Sequence, residues 1–207
     1  ISYMRAPGRD IFGVRMLGPT LMIHGSEEQK KTHLPAVAKG EIQWCQGHSE
    51  PESGSDLASL STRAVRDGDD LVINGAKVWT TMAHRADWIM LLTRTDPDAP
   101  RHEGISALII DMDTPGLEVR PLRDISGHAE FAEVFFTDVR VPAANLLGEL
   151  NRGWQITIGA LAHERSGLWV EGVAICQRSI DDIVAMARRR GLDDDPVIRR
   201  KVAELYA

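Results

Sequence analysis

The hydrophobic pattern of this chain changes period twice. Over residues 1–43 it is helical, with Leu34, Val37 and Ala38 recurring at the spacing of one helix face. Ser26 followed by Glu27, Glu28 and Gln29 predicts an N-cap with an acidic first turn, and Gly40 predicts the stop. From 44 to 148 the rhythm is that of short strands broken by turns. Ser61–Arg66, Leu71–Ile73 and Ala76–Thr80 are predicted strands, separated by Asp67-Gly68 and Asn74-Gly75, dipeptides that supply the positive φ of tight hairpins. Further strands are predicted at 88–94, 106–111, 117–121 and 133–136, and such a series predicts a barrel or sandwich. From Gly153 to about Arg190 the helical period returns, with Ile158, Leu161, Leu168, Ile175 and Ile183 near one stripe and Gly191 as terminator. Asp195 and Pro196 predict the N-cap and first position of another helix, with Ile198, Val202 and Leu205 on its buried side. That last apolar stripe ends without a partner and the chain opens without an initiator Met, so it reads as truncated at both ends.

Composition narrows the class of function. An apolar content of 43% is enough for a core, and the mean hydropathy of −0.19 is that of an ordinary soluble protein. A net charge of −6 leaves no basic stripe to neutralise phosphates, which argues against a nucleic-acid partner. The run Arg188-Arg189-Arg190 sits at a predicted helix end, where it complements the helix dipole. Cys45 and Cys176 are far apart with no C-x-x-C, which argues against a disulfide framework or cysteine metal cluster and fits a reducing compartment. No apolar run approaches the length of a membrane span.

Candidate chemistry concentrates in three segments. Gln46-Gly47-His48-Ser49-Glu50-Pro51-Glu52-Ser53-Gly54-Ser55-Asp56 joins an extended stretch to a turn crowded with hydroxyls and amides. It suits an anionic or polyoxygenated ligand; alone it reads equally as a polar loop with no ligand. In Lys77-Val78-Trp79-Thr80-Thr81, a Trp followed by hydroxyls at a strand end can cover a flat ring and donate to its edge, or fill a barrel core. In Leu161-Ala162-His163-Glu164-Arg165-Ser166-Gly167, Glu164 lies beside the apolar helical stripe, where desolvation raises a carboxylate toward the range of a general base. The alternative for Glu164 is a surface ion pair. Gly167 stands where a zincin needs its second His, and neither a G-x-S-x-G elbow nor a G-x-G-x-x-G or Walker A loop occurs. No compact cluster suggests a metal.

These segments, in this order, resemble the signatures of the acyl-CoA dehydrogenase family. Residues 46–56 resemble its [YF]-x-x-T-E-P-x-x-G-S-D flavin motif, with Ser49 for Thr and Glu52-Ser53 for the usual Gly-Ala. Residues 77–81 resemble K-x-W-I-T, with Thr80 for Ile. Gly127–Pro142 with Asn145–Gly148 resembles the closing segment G-x-x-x-x-x-E-V-x-F-x-D-V-x-V-P…N-x-x-G, in which His128 reads as a loop histidine. The resemblance implies an α+β multi-domain fold, helices flanking a central antiparallel β-barrel: a partial N-terminal helical domain (1–43), the middle barrel (44–148) and the start of a C-terminal helical domain (149–207). It implies FAD as cofactor, held by Gln46, His48, Ser49, Trp79, Thr80 and Thr81, and acyl-CoA contacts from Ser55 and Arg165, unless Arg165 only braces the helix. Glu164-Arg165 matches the subset of the family that carries its catalytic base on this helix; other members draw it from a later segment. The implied reaction is α,β-dehydrogenation of an acyl-CoA thioester to a trans-2-enoyl-CoA, in fatty acid or lipid catabolism, with electrons passed to an electron-transfer flavoprotein. A homo- or hetero-oligomer, a dimer of dimers, is expected, in the cytoplasm or, in a eukaryote, the mitochondrial matrix. Alternatives on the same scaffold are an acyl-CoA oxidase, a nitroalkane oxidase, or a non-catalytic subunit of a heteromeric dehydrogenase.

Overall fold

The computed structural model describes residues 10 and 12–206, apart from the side chains of 166–171. It divides into two compact units, one over Gly8–His163 and one that takes in Glu164–Ala207.

The first unit is an eight-stranded mixed sheet with helices on one face. A π-helical turn, Gly13–Leu17, leads into α1 (Gly18–His24) and α2 (Glu27–Lys39). The predicted capping box of α2 is complete: Ser26 Oγ accepts from Gln29 N, and Gln29 Oε1 accepts from Ser26 N. Gly40 ends the helix in the left-handed region at φ 72°. The strands are β1 (Trp44–Gly47), β2 (Arg63–Asp67), β3 (Asp70–Thr81), β4 (Trp88–Arg94), β5 (Ile105–Asp111), β6 (Leu117–Leu122), β7 (Phe131–Pro142) and β8 (Leu146–Leu147). Their order is β6-β7-β3-β2-β4-β5-β8, with β1 added parallel to β4. This corrects the expected closed antiparallel barrel. The path is open, and β4 makes parallel pairings with β1 and, through Arg63 and Arg94, with β2.

Two cores flank the central strands. Ile89 and Leu91 of β4 and Leu108 and Ile110 of β5 pack with Ile73, Val134, Phe136 and Val139 from the other half of the sheet. The alternate residues Met90, Leu92 and Ile109 pack on the other side with Leu17, Leu21, Val37, Trp44, Ile156 and Ala160. β4 and β5 are therefore covered on both faces, which explains their continuous apolar runs.

The Asp67-Gly68 hairpin forms as expected, with Gly68 at φ 65°. Asn74-Gly75 does not turn. It lies inside one long strand, β3, at a register shift against β7. A Cβ on Gly75 would meet Thr62 Oγ1 at 2.5 Å, and the Asn74 amide exchanges two 3.0 Å hydrogen bonds with Asp138 on β7. The dipeptide serves a bulge.

A buried ion pair fastens the loop after β1 to β3. Lys77 Nζ lies 2.8 Å from Glu50 Oε1, with both side chains out of water, and also donates to the His48 carbonyl at 3.0 Å. Glu50 accepts further from Ser61 N (2.7 Å), Ser61 Oγ (2.9 Å) and Thr62 N (2.9 Å). Burial opposes ionisation of Glu50, but the Lys77 ammonium and these donors outweigh it and hold the carboxyl at about 2. Burial brings Lys77 down to about 8 against the pull of Glu50.

The second unit follows along α3 (Gly153–Arg189), whose first residues belong to the sheet unit, and α4 (Pro196–Glu204). Asp195 caps α4 through Val197 N and Ile198 N. The expected buried stripe is only partly realised: Ile198 and Val202 are half-buried opposite Val184 and Ala187, while Ile175 and Leu205 are exposed. Leu168 lies outside the described side chains. Ile158, in the sheet unit, is also exposed. No described helix is long and apolar enough to cross a membrane.

Two predictions follow from this packing. Gly153 abuts β5 so closely that a Cβ would meet the Ser106 carbonyl carbon at 2.5 Å, whereas nothing lies within 4 Å of one on Gly159. Urea unfolding of Gly153→Ala is expected to show a loss of about 1–3 kcal/mol, and Gly159→Ala no loss or a gain of up to about 1 kcal/mol. Glu50→Gln strands the Lys77 charge and is expected to cost about 3–5 kcal/mol. The double variant Glu50→Gln, Lys77→Met should recover much of that cost. Because Glu50 falls from an ordinary 4.5 to about 2, its stabilisation is complete above 4.5 and is lost as pH falls toward 2. Urea midpoints taken down that range should drop less steeply in the double variant than in wild type.

Candidate cofactor site

The loop after β1 is shaped by its own hydrogen bonds. Glu50 N donates to Ser53 O at 2.8 Å and Ser53 N returns to Glu50 O at 3.0 Å, closing a tight turn around Pro51-Glu52. Ser53 Oγ then donates to Asp56 O at 2.7 Å. Asp56 accepts from Ser59 Oγ and pairs with Arg101 at the surface. With Glu50 anchored below by Lys77, Ser49 O is set to accept from Val78 N at 2.9 Å. The first two candidate segments thus meet along one line of contact.

At that line β3 is irregular. Its register against β7 shifts between Lys77 and Thr80, and Trp79 takes φ 59°. A left-handed non-glycine residue in a strand costs roughly 1–2 kcal/mol. The conformation turns the indole out of the sheet, where it is 62% exposed and meets the Phe131 ring edge-on at 5.9 Å. Trp79 is therefore not a core residue.

Around it lies a cavity of about 150 Å³ lined by Phe12, Gln46, His48, Ser49, Val78, Trp79 and Thr81. A second hollow, of about 680 Å³, shares Phe12 and Thr81 with it and continues past Trp44 and Arg85. Five of the six residues expected to hold a cofactor, Gln46, His48, Ser49, Trp79 and Thr81, are brought together here. The sixth, Thr80, is buried and away from the cavity lining, its hydroxyl without a partner among the described residues. Ser55 is exposed on the loop and is not among the lining residues. Glu164 and Arg165 begin the second unit on α3, Glu164 half-buried and Arg165 exposed.

The cavity's polar groups are neutral. Burial first, and the Lys77 charge second, hold the His48 imidazole down at about 4, so it is uncharged at neutral pH. Its Nε2 is buried with no hydrogen-bond partner among the described residues. Gln46 Nε2 contacts the thioether of Met16 at 3.1 Å. The sequence reading assigned no role to Glu50 or Lys77. Both stand inside the two motifs, and one acidic and one basic residue, each within a candidate ligand segment, were the available signal.

Residues 45–139 match the family profile described as "Acyl-CoA dehydrogenase, middle domain", and 151–207 match "Acyl-CoA dehydrogenase, C-terminal domain". Acyl-CoA dehydrogenase IpdE1 of Mycobacterium tuberculosis is 41% identical over 99% of this chain and 54% of its own length. Among solved structures, the Tcur3481-Tcur3483 steroid ACAD is 44% identical with a TM-score of 0.83, over 95% of this chain and 51% of that one. The ChsE4-ChsE5 complex of Mycobacterium tuberculosis is 36% identical with a TM-score of 0.79, over 95% and 52%. The chain spans about half the length of these relatives. In sequence and in fold, the chain belongs to the acyl-CoA dehydrogenase family.

Proposed function

We propose that this chain forms the cofactor-bearing half of an FAD-dependent acyl-CoA dehydrogenase that converts an acyl-CoA thioester to its trans-2-enoyl form. The observation that carries the reading is Trp79, held exposed in a left-handed bulge beside Ser49, His48 and Thr81. Strain maintained at an exposed aromatic is what a ligand-facing position explains and a packing position does not. The residues fit the cofactor. A flat exposed indole suits a planar ring, two hydroxyls and a glutamine amide suit its carbonyl edge, and the partnerless His48 is a neutral polar group close by.

FAD bound there supplies the acceptor for the hydride leaving the β-carbon. The chain's own part is to fix and shield it: Trp79 covers the ring, Ser49 and Thr81 hold its polar edge, and the Lys77–Glu50 pair keeps the loop in register. Glu164 is assigned removal of the α-proton, on the resemblance of Glu164-Arg165 to family members that carry the base on this helix. Ser55 and Arg165 are assigned to the acyl-CoA, and an electron-transfer flavoprotein to the electrons released. The relatives named as a steroid ACAD favour a bulky, steroid-derived acyl group. Two of the similar structures carry paired names, Tcur3481-Tcur3483 and ChsE4-ChsE5, which favours a heteromeric assembly. Co-expression with candidate partner subunits, followed by size-exclusion chromatography, separates this from a homo-oligomer.

Full-length protein is expected to purify yellow and to bleach anaerobically with a suitable acyl-CoA. Trp79→Ala should weaken FAD binding at least tenfold, read by flavin fluorescence on titration, with little change in Tm because the indole is exposed. Trp88→Ala is the control: Trp88 packs on His33 at 4.6 Å and stacks on Trp44 at 5.8 Å, so its loss should lower Tm instead. Equal FAD loss in both variants would contradict the site.

Glu164→Gln should keep FAD and acyl-CoA binding yet lose roughly 10²–10⁴-fold in turnover. A surface ion pair, worth about 1 kcal/mol or less, could not produce that loss. Turnover within a few-fold of wild type would place the base beyond residue 207.

A further inference from the structure

Lys77 has no part in the chemistry assigned above, yet its side chain is fully buried against residues that line the cavity. Its hydrogen bonds give the charge a direction. Nζ donates to the His48 carbonyl at 3.0 Å and to Glu50 Oε1 at 2.8 Å. Glu50 in turn spends its other contacts on Ser61 and Thr62. Glu50, Ser61 and Thr62 are absent from the cavity lining, whereas His48 and Ser49 both belong to it. Neither Lys77 nor Glu50 lines the cavity itself; the link from the pair to the cavity is the Lys77 hydrogen bond to the His48 carbonyl. The carbonyl that Lys77 grips belongs to the His48–Ser49 peptide. Donation to that oxygen polarises the peptide and strengthens the Ser49 N–H as a donor. Ser49 cannot swing away, because its own carbonyl is held by Val78 N at 2.9 Å.

We propose that Lys77 is a positioning residue that tunes the bound flavin, presenting positive potential through the His48–Ser49 peptide and favouring the reduced, negatively charged cofactor over the oxidised one. This rests on the FAD reading above. A fixed charge in a dry interior acts more strongly than in water, and a preorganised donor needs no rearrangement when charge arrives. Lys77 is protonated at neutral pH, since its value of about 8 lies above it. His48 is neutral there and adds no competing charge.

The test uses full-length protein. Lys77→Met alone strands the Glu50 carboxylate and can unfold the loop, so the deciding variant is the double Lys77→Met, Glu50→Gln. Gln keeps one carbonyl oxygen to accept from Ser61 N or Thr62 N while the pair becomes neutral. Two quantities are measured for wild type and variant: the Kd for oxidised FAD, and the midpoint potential of the bound flavin by equilibration with a reference dye. The expected result is a fall in potential that corresponds to at least a tenfold loss of preference for reduced over oxidised FAD, about 30 mV for a two-electron couple. A purely structural role weakens both redox forms alike and leaves the potential where it was. An unmoved potential in a variant that still holds FAD overturns the proposal. A wild-type protein that binds no FAD overturns the FAD reading and this inference with it, and the two failures are told apart by the oxidised-FAD titration.

Discussion

The site depends on the buried pair of Lys77 and Glu50. Removing two charges from water costs several kcal/mol per ion, and this is offset only when every lone pair and proton finds a partner. Here the Glu50 carboxylate accepts from Lys77, Ser61 and Thr62, and Lys77 also reaches the His48 carbonyl. Such a demanding set of contacts is satisfied by one register of loop against strand and by no neighbouring one. A slip by one residue would leave a charge buried alone. That exclusivity, more than any net stabilisation, is what places Ser49 opposite Val78 and brings the two ligand segments to a common line.

Once the loop is fixed, β3 must accommodate it. Lys77 points inward to meet Glu50, and Thr80 is also buried. In a regular strand, residues 77 and 80 lie on opposite faces. The chain resolves this by a bulge that absorbs one residue, and Trp79, in the left-handed region, is the residue absorbed. The bulge thus lets both neighbours face inward, but packing alone does not call for a bulky aromatic at the strained, exposed position. Twelve-residue β7 stays continuous alongside and carries Phe131, which steadies the indole edge-on.

Local features were legible in the sequence where the cause is local. The capping box of α2, the Gly40 and Gly191 stops, the Asp67-Gly68 hairpin and the Asp195 cap are each specified within a few residues. Asn74-Gly75 failed for an instructive reason. The dipeptide encodes a permissive backbone, and whether that becomes a turn or a bulge is decided by Thr62 and Asp138, both remote in sequence. Closure of the sheet was misread because strand alternation specifies which faces are buried but not whether the ends of the sheet meet. In the site, residue types pointed to Ser49, Trp79 and Thr81. The Lys77–Glu50 contact needed the third dimension, and so did the burial of Thr80.

The electrostatics of the cavity follow from the same pair. An imidazole among hydroxyls and amides would normally titrate in the physiological range and change the polarity of a binding site with pH. His48 does not, because burial and the adjacent ammonium together carry its ionisation down to about 4. Lys77 titrates near 8, above neutrality. Between those limits Lys77 keeps a fixed positive charge against the His48 carbonyl, with Glu50, its counter-charge, held by Ser61 and Thr62. The protonation state around the cavity therefore does not change across the neutral range, and the group that joins burial in holding His48 neutral, Lys77, also fixes the loop.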